Sequence, residues 1–233
     1  MMFPKIVTFC NHTFITSLLG SDSYVIDLGA NRGEFSQAMV KRYRCRVYAC
    51  EPVPEYYDQI KESERCKKYA YGISRKNGPM SLIRPDDLCP SLYHSNETKK
   101  DTTVFATGVV YNSFLKEIKL STIDLLKVDI EGAEIDLFNS MSVADVMAHT
   151  QITVEFHDFL FPQLNERVEQ IKGKIGDSGF YQIPFSLDNS DILFVRKDAL
   201  SFAGYLYLRY FMRFYRKRER ILSRIRHTFA RSG

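Results

Sequence analysis

Short apolar runs alternate with helix-spaced segments from residue 24 to 196. Tyr24–Leu28, Arg46–Cys50 and Lys67–Ile73 read as strands, and Met80–Ile83 as a short extra one. Between the first two strands, Phe35, Met39 and Tyr43 recur every four positions, which predicts a helix over Gly33–Arg44. Pro54 suits the first turn of the next helix, which carries Tyr57 and Ile60. Ile123–Ile130 is almost continuously apolar, as a central strand buried on both faces requires. A helix from Ala133 to about Met141, a strand at Gln151–Phe156 and a helix at Leu164–Ile175 follow. Strands at Tyr181–Pro184 and Asp191–Arg196 complete the pattern. Residues 84–103 are polar and broken by Pro85 and Pro90, which predicts a long loop of the kind that forms lids or binding segments. Such alternation predicts an α/β fold, a mostly parallel sheet with helices on both faces.

The C-terminal segment departs from this pattern. From Phe202 the chain reads as one amphipathic helix, with Phe202, Leu206, Tyr210 and Phe214 at steps of four and Ile221, Ile225 and Phe229 beyond. Arg209, Arg213, Arg216, Arg220 and Arg224 fall on another face. The net charge of +4 is therefore uneven: residues 209–233 carry nine Lys or Arg against Glu219 alone, leaving residues 1–208 at −4. The chain divides into a body over 1–199 and a basic helical tail over 200–233. Such a tail suits an anionic membrane surface or RNA phosphates. Alternatively, its first half packs on the body and the rest is a solvated end. Otherwise 233 residues, 45% hydrophobic and 26% charged, describe one ordinary domain. Five cysteines without a Cys-x-x-Cys pair point to reduced thiols in a cytoplasmic setting. Asn11, His12 and Thr13 interrupt the early apolar run, against a signal peptide, and no apolar stretch is long enough to span a membrane.

The most informative segment joins the first strand to its helix. Asp27-Leu28-Gly29-Ala30-Asn31-Arg32-Gly33 ends an apolar strand in a turn that exposes backbone amides at a helix start, where ligands bind in open α/β sheets. Gly29 and Gly33 let the backbone approach a ligand closely. Asp27 would repel a pyrophosphate but suits a ligand carrying an amino group and a sulfonium. Glu51, 24 positions later, stands near the spacing at which an acid reaches ribose hydroxyls. The dinucleotide fingerprint Gly-x-Gly-x-x-Gly is absent, so S-adenosylmethionine fits better than NAD.

Three segments resemble the FkbM family of class I methyltransferases: residues 25–36 (Val-Ile-Asp-Leu-Gly-Ala-Asn-Arg-Gly-Glu-Phe-Ser), Cys50-Glu51-Pro52-Val53-Pro54, and Ile123 to Glu134 with its Lys127-Val128-Asp129-Ile130-Glu131-Gly132 core. Val154-Glu155-Phe156-His157 is a weaker fourth match. The resemblance implies a Rossmann-like, doubly wound seven-stranded sheet with an antiparallel last strand. It implies S-adenosyl-L-methionine as donor and O-methylation of sugar or natural-product hydroxyls. It assigns Asp27, Gly29, Ala30, Asn31 and Gly33 to the methionine side and Glu51 with Pro52 to the ribose. Tyr71 and Gly72 then lie beside the adenine, although Arg75 stands where an acid is frequent. Residues 84–116 would form the substrate loop.

Asp129 and Glu131 leave the fourth strand at its carboxyl end, and Glu155 and His157 leave the adjacent strand two residues apart. Asp129, Glu131 and His157 are the catalytic candidates. His157 has the ordinary pKa of a general base, and Glu134 suits the start of the next helix. No metal ligand is assigned, though the same carboxylates could hold a hard divalent cation. The reading is a cytoplasmic O-methyltransferase acting on a sugar, glycan or lipid-linked glycan, held near an anionic membrane by residues 202–231. An RNA methyltransferase is the alternative enzyme, but Asp129-Ile130-Glu131-Gly132 stands where amino-methylating enzymes carry an Asn/Asp-Pro-Pro-Tyr-type motif. A non-catalytic cofactor-binding scaffold is the third alternative.

Overall fold

A computed structural model describes residues 3–84, 102–159 and 162–212. The chain opens with a hairpin, β1 (Ile6–Phe9) and β2 (His12–Ile15), that the sequence reading missed. Its two-residue turn, Cys10-Asn11, has φ of 47° and 61°. Left-handed backbone at both central residues matches the twist of the flanking strands.

Next come β3 (Tyr24–Leu28), α1 (Glu34–Ala38), β4 (Arg46–Cys50), α2 (Pro54–Tyr57), β5 (Cys66–Tyr69), β6 (Tyr71–Ile73), β7 (Gly78–Arg84) and β8 (Thr102–Val109). Helix α1 continues through a π-helical turn to Tyr43. Then follow α3 (Tyr111–Ile118), β9 (Ile123–Val128), α4 (Glu134–Ser140), α5 (Val143–Met147), β10 (His149–Val154), α6 (Asn165–Asp177), β11 (Phe180–Pro184), β12 (Ile192–Arg196) and α7 (Phe202–Leu206).

Seven strands form the main sheet in the order β11-β12-β10-β9-β3-β4-β5. The pairings from β10 to β5 are parallel, while β12 runs antiparallel to both of its neighbours. This is the doubly wound, Rossmann-like arrangement with an antiparallel last strand that the resemblance implies. Alternation along the strands sorts the core into two layers. Ile26, Leu126 and Val154 pack with Phe114, Phe138 and Ile171 on one face. Val25, Leu125 and Val47 pack with Phe14, Phe35 and Met39 on the other. A polar pair is buried in the first layer's surroundings, where Tyr111 Oη lies 2.8 Å from His149 Nε2 and His149 Nδ1 lies 3.2 Å from the Val146 carbonyl.

Three expectations require correction. The single strand predicted over Lys67–Ile73 is two strands in two sheets. Its register with β4 ends at Cys50↔Tyr69, and Pro52 beyond has no N–H to extend the ladder. Tyr71–Ile73 pairs instead with β8, in a three-stranded sheet ordered β6-β8-β7. Residues 102–116, assigned above to the substrate loop, form β8 and most of α3; residues 85–101 lie outside the described residues. Finally, the tail helix begins at Phe202 under a Ser201 cap but passes into a π-helical turn over Tyr207–Met212. Within it, Leu208 is buried beside Ile15, Ile183 and Val195, and Arg209 donates to the Gln182 carbonyl at 2.7 Å. Phe202, Tyr210 and Phe211 remain exposed. The predicted basic face from Arg213 onward lies outside the described residues. No helix among the described residues is long and apolar enough to cross a membrane.

Candidate active site

The sheet order reverses between β3 and β9, and a cleft of about 630 Å³ lies there, at the carboxyl ends of β3, β4 and β9. A wider basin of about 1010 Å³ adjoins it, sharing Gly29, Asn31, Tyr56 and Asp129. Topological switch points of this kind are where open α/β sheets bind ligands.

Gly29 makes the cleft's tightest crossing. Its φ is +76°, and a Cβ there would sit 1.7 Å from the Asp129 carbonyl oxygen. Only glycine lets β3 and β9 converge at this point. Asn31 adopts φ 49° in the same turn, and Ala30 lines the adjoining basin. Gly33, φ +80°, packs on Ile60 instead of the cleft and starts α1.

Glu51 clamps two loops together at the cleft wall. Its Oε2 accepts from the Asn31 amide at 2.7 Å and its Oε1 from the Val53 amide at 2.9 Å. The carboxylate is 5% exposed, and burial raises its pKa despite those bonds. Pro52, Tyr71, Gly72 and Ile73 continue the wall, with Met80 and Leu82 of β7. Met80 Sδ would lie 2.6 Å from a Cβ on Gly72. Arg75 is paired with Asp136 at 2.7 Å, outside the cleft lining.

Asp27, expected on the methionine side, lines neither the cleft nor the basin. It is fully buried, accepting from Ser36 Oγ at 2.7 Å and facing Lys127 Nζ at 3.2 Å. Lys127, which the sequence reading quoted only as part of a motif, is the hub of this region. Its Nζ donates to the Gly29 carbonyl at 2.6 Å and lies 3.5 Å from Asp129 Oδ2. Burial opposes its charge, but Asp27 and Asp129 outweigh that and raise its pKa. Conversely, burial pushes the Asp129 carboxyl up, while Lys127, His12 and His157 together hold it well below the usual range. A lysine inside an otherwise apolar strand was the available signal, because a buried cation needs carboxylate partners.

The turn after β9 carries its own strain. Glu131 and Gly132 have φ of 51° and 101°. Glu134, 2% exposed, folds back to accept from the Ile130 and Gly132 amides, each at 3.1 Å. The same carboxylate meets His157 Nδ1 at 3.0 Å.

Asp129, Glu131 and His157 do come together. His157 Nε2 lies 3.2 Å from Glu131 Oε2 and 3.8 Å from Asp129 Oδ1. The role expected of His157 nevertheless changes, because both of its nitrogens face carboxylates. Burial would lower its pKa, but the Glu134 hydrogen bond and the charges of Glu134, Glu131 and Asp129 raise it to about 9. An imidazolium at neutral pH has no lone pair with which to take a proton. Glu155, unassigned from the sequence, is raised to about 7 by burial first and then by Asp129.

A second histidine enters from the unpredicted hairpin. His12 is fully buried on β2, with Nδ1 3.3 Å from Thr153 Oγ1 and Nε2 3.6 Å from Asp129 Oδ2. Flanking contacts fix β2 against the sheet. Thr13 donates from its amide (2.9 Å) and hydroxyl (2.5 Å) to Asp191, and Ile15 exchanges bonds of 2.8 and 3.1 Å with the Gln151 side chain.

Residues 27–181 match the sequence profile described as the methyltransferase FkbM domain. The chain is similar to methyltransferase sdnD of Sordaria araneosa, 26% identical over 170 residues that cover 57% of this chain and 66% of that protein. It is also similar to methyltransferase 1 of Beauveria bassiana (strain ARSEF 2860), 23% identical over 146 residues covering 52% and 59%. The chain thus spans less than two thirds of these relatives' lengths. Among solved structures, methyltransferase FkbM from Methylobacillus flagellatus KT aligns over 76% of this chain and 44% of that one, at 14% identity and a TM-score of 0.46. Aeropyrum pernix fibrillarin, solved with natively bound S-adenosyl-L-methionine, covers 76% and 66%, at 10% identity and a TM-score of 0.40.

Proposed function

The chain belongs to the FkbM methyltransferase family, and on that premise we propose that it moves the methyl group of S-adenosyl-L-methionine to a hydroxyl of a sugar or glycan. The observation that carries the cofactor is the cleft itself. Glycine permits close backbone approach at its floor, and the Glu51 carboxylate at its wall is suited to a ribose diol. Tyr71, Gly72, Met80 and Leu82 offer an apolar slot for the adenine. Asp129 and Glu131 supply negative charge toward a sulfonium, and Lys127 holds Asp129 in place.

Transfer to oxygen then requires in-line positioning, which supplies most of the rate, and removal of one proton. The acceptor oxygen forms its bond to the methyl carbon as the carbon–sulfur bond breaks, and the electron pair stays on sulfur. We assign the hydroxyl proton to Glu131, which lines the cleft with its side chain 29% exposed. His157 acts as a positioning residue that orients Glu131 and Asp129. Asp27 acts through Lys127 and has no direct ligand role.

The tail supports a location for this chemistry. Exposed Phe202, Tyr210 and Phe211 precede a segment rich in arginine, a combination suited to an anionic lipid surface that presents a lipid-linked glycan. Calorimetry with S-adenosylhomocysteine and transfer of labelled methyl to a panel of glycans test the activity. A wild-type protein without measurable S-adenosylhomocysteine binding would overturn it. Co-sedimentation with anionic vesicles, repeated after Arg213, Arg216 and Arg220 are changed to Glu in the full chain, tests the tail; equal binding by both proteins removes that part.

A further inference from the structure

His12 uses only half of its ring. Nδ1 lies against Thr153, whereas Nε2 is buried without a hydrogen-bond partner and faces Asp129 at 3.6 Å. Strand periodicity adds a third group. Gln151, Thr153 and Glu155 share one face of the β10 segment, because alternate residues point the same way. The first two hold the β2 backbone and His12. One atom each from His12, Asp129 and Glu155 falls within 4.8 Å of the other two.

We propose that His12, Asp129 and Glu155 bind one divalent cation of the Mn2+ type, seated between the N-terminal hairpin and the carboxyl ends of β9 and β10. When Thr153 accepts from Nδ1–H of a neutral ring, Nε2 presents a lone pair toward a carboxylate oxygen, and a bound cation would supply the positive charge that a proton on Nε2 otherwise brings to Asp129. The separation of 3.6 Å is too long for an N–H···O bond. It is somewhat longer than the neighbouring-ligand edge of about 3 Å in an octahedral site with bonds of about 2.1 Å, so a bound ion would draw the two groups together. One imidazole and two carboxylates suit Mn2+ or its first-row neighbours better than Mg2+, which prefers oxygen alone. Thr153 serves as the outer partner that fixes the ring's tautomer.

Lys127 also approaches Asp129 Oδ2, at 3.5 Å, but its shorter contacts are to the Gly29 carbonyl and Asp27. Its charge is matched by Asp27, and that of His157 by Glu134. Asp129 and Glu131 remain as a surplus of negative charge beside the proposed ion. Asp129 also lines the cofactor cleft and the adjoining basin, so a cation held by it would border both and could contribute to catalysis. That catalytic role rests on the methyl-transfer reading, but the binding does not.

The test uses full-length protein stripped with a chelator and titrated with Mn2+, with free ion read by electron paramagnetic resonance and bound ion by electron spin echo modulation. We expect one saturable site per chain, with 14N modulation from a coordinated imidazole. His12→Phe should abolish that modulation, and both His12→Phe and Glu155→Gln should weaken binding at least tenfold. S-adenosylhomocysteine binding, measured on each protein, reports whether the variant is folded and whether the cofactor reading stands independently. Wild type that binds S-adenosylhomocysteine but not Mn2+ overturns the proposal. Bound Mn2+ without 14N modulation, or unchanged affinity in both variants, overturns it too. Because His157 also faces Asp129 and Glu131, modulation that His157→Gln removes overturns the proposal, and should His12→Phe fail to fold, His157→Gln and Glu155→Gln decide.

Discussion

Replacing Glu51 with glutamine tests the cofactor wall most directly. The carboxylate accepts from two amides, Asn31 at 2.7 Å and Val53 at 2.9 Å. A glutamine side chain has one acceptor, so its NH2 must face one of those N–H groups. Losing a hydrogen bond to a charged acceptor costs about 1.5–3 kcal/mol, and a chain of this size should melt roughly 3–12 °C lower, at 2–4 °C per kcal/mol. On the proposed assignment, the ribose hydroxyls would lose the same kind of charged acceptor. At 1.4 kcal/mol per factor of ten, that predicts roughly 10- to 150-fold weaker S-adenosylhomocysteine binding. Calorimetry on wild type and Glu51→Gln, with S-adenosylhomocysteine and its 2′-deoxy analogue, separates the two effects. If the carboxylate holds the ribose, removing it and removing the hydroxyl are strongly non-additive. Losses that simply add would mean that Glu51 only clamps the loops, and an unchanged affinity would refute the assignment altogether.

Two further outcomes follow from the geometry. Burial lowers the His149 pKa from 6.5 to about 4, so the unfolded chain takes up a proton between those values that the folded chain refuses. Wild-type stability relative to His149→Gln should therefore fall by about 3 kcal/mol as pH drops from 6.5 to 4. Glu155 and His157 titrate with the opposite sign but cancel in the difference, and parallel denaturant curves across that range would contradict the burial argument. Gly29→Ala forces a left-handed alanine, at roughly 1–2 kcal/mol, besides driving its Cβ to 1.7 Å from the Asp129 carbonyl. We expect a lowered melting temperature and lost S-adenosylhomocysteine binding, and a variant with both intact would show that the β3–β9 crossing tolerates a side chain.

Most of the sheet was legible because its strands combine apolar runs with turn residues. Tyr24–Leu28 and Arg46–Cys50 match their predicted bounds. What escaped was set by partners distant in sequence. The split after Tyr69 depends on where β4 ends, and β8 depends on the strand beside it. The N-terminal hairpin turns at Cys10-Asn11, without the Asn-Gly signature of such turns, so its two short strands read as an interrupted apolar run. The turn that lines the cleft, Gly29 to Asn31, was readable as part of a contiguous motif, whereas the second histidine was not, because nothing local to His12 announces Asp129. The surroundings of Asp27 were hidden for a related reason: the lysine that faces it stands on the neighbouring strand, a hundred positions on.

The hairpin also fixes an order of events in folding. His12 meets Thr153 across 141 positions, and Thr13 meets Asp191 across 178. During synthesis the hairpin must wait for most of the sheet to emerge, and closing such distant contacts is slow. The cleft walls contributed by β3 and β4 need no such delay. A chain in which β3 and β4 have already paired therefore still lacks the hairpin that brings His12 to Asp129.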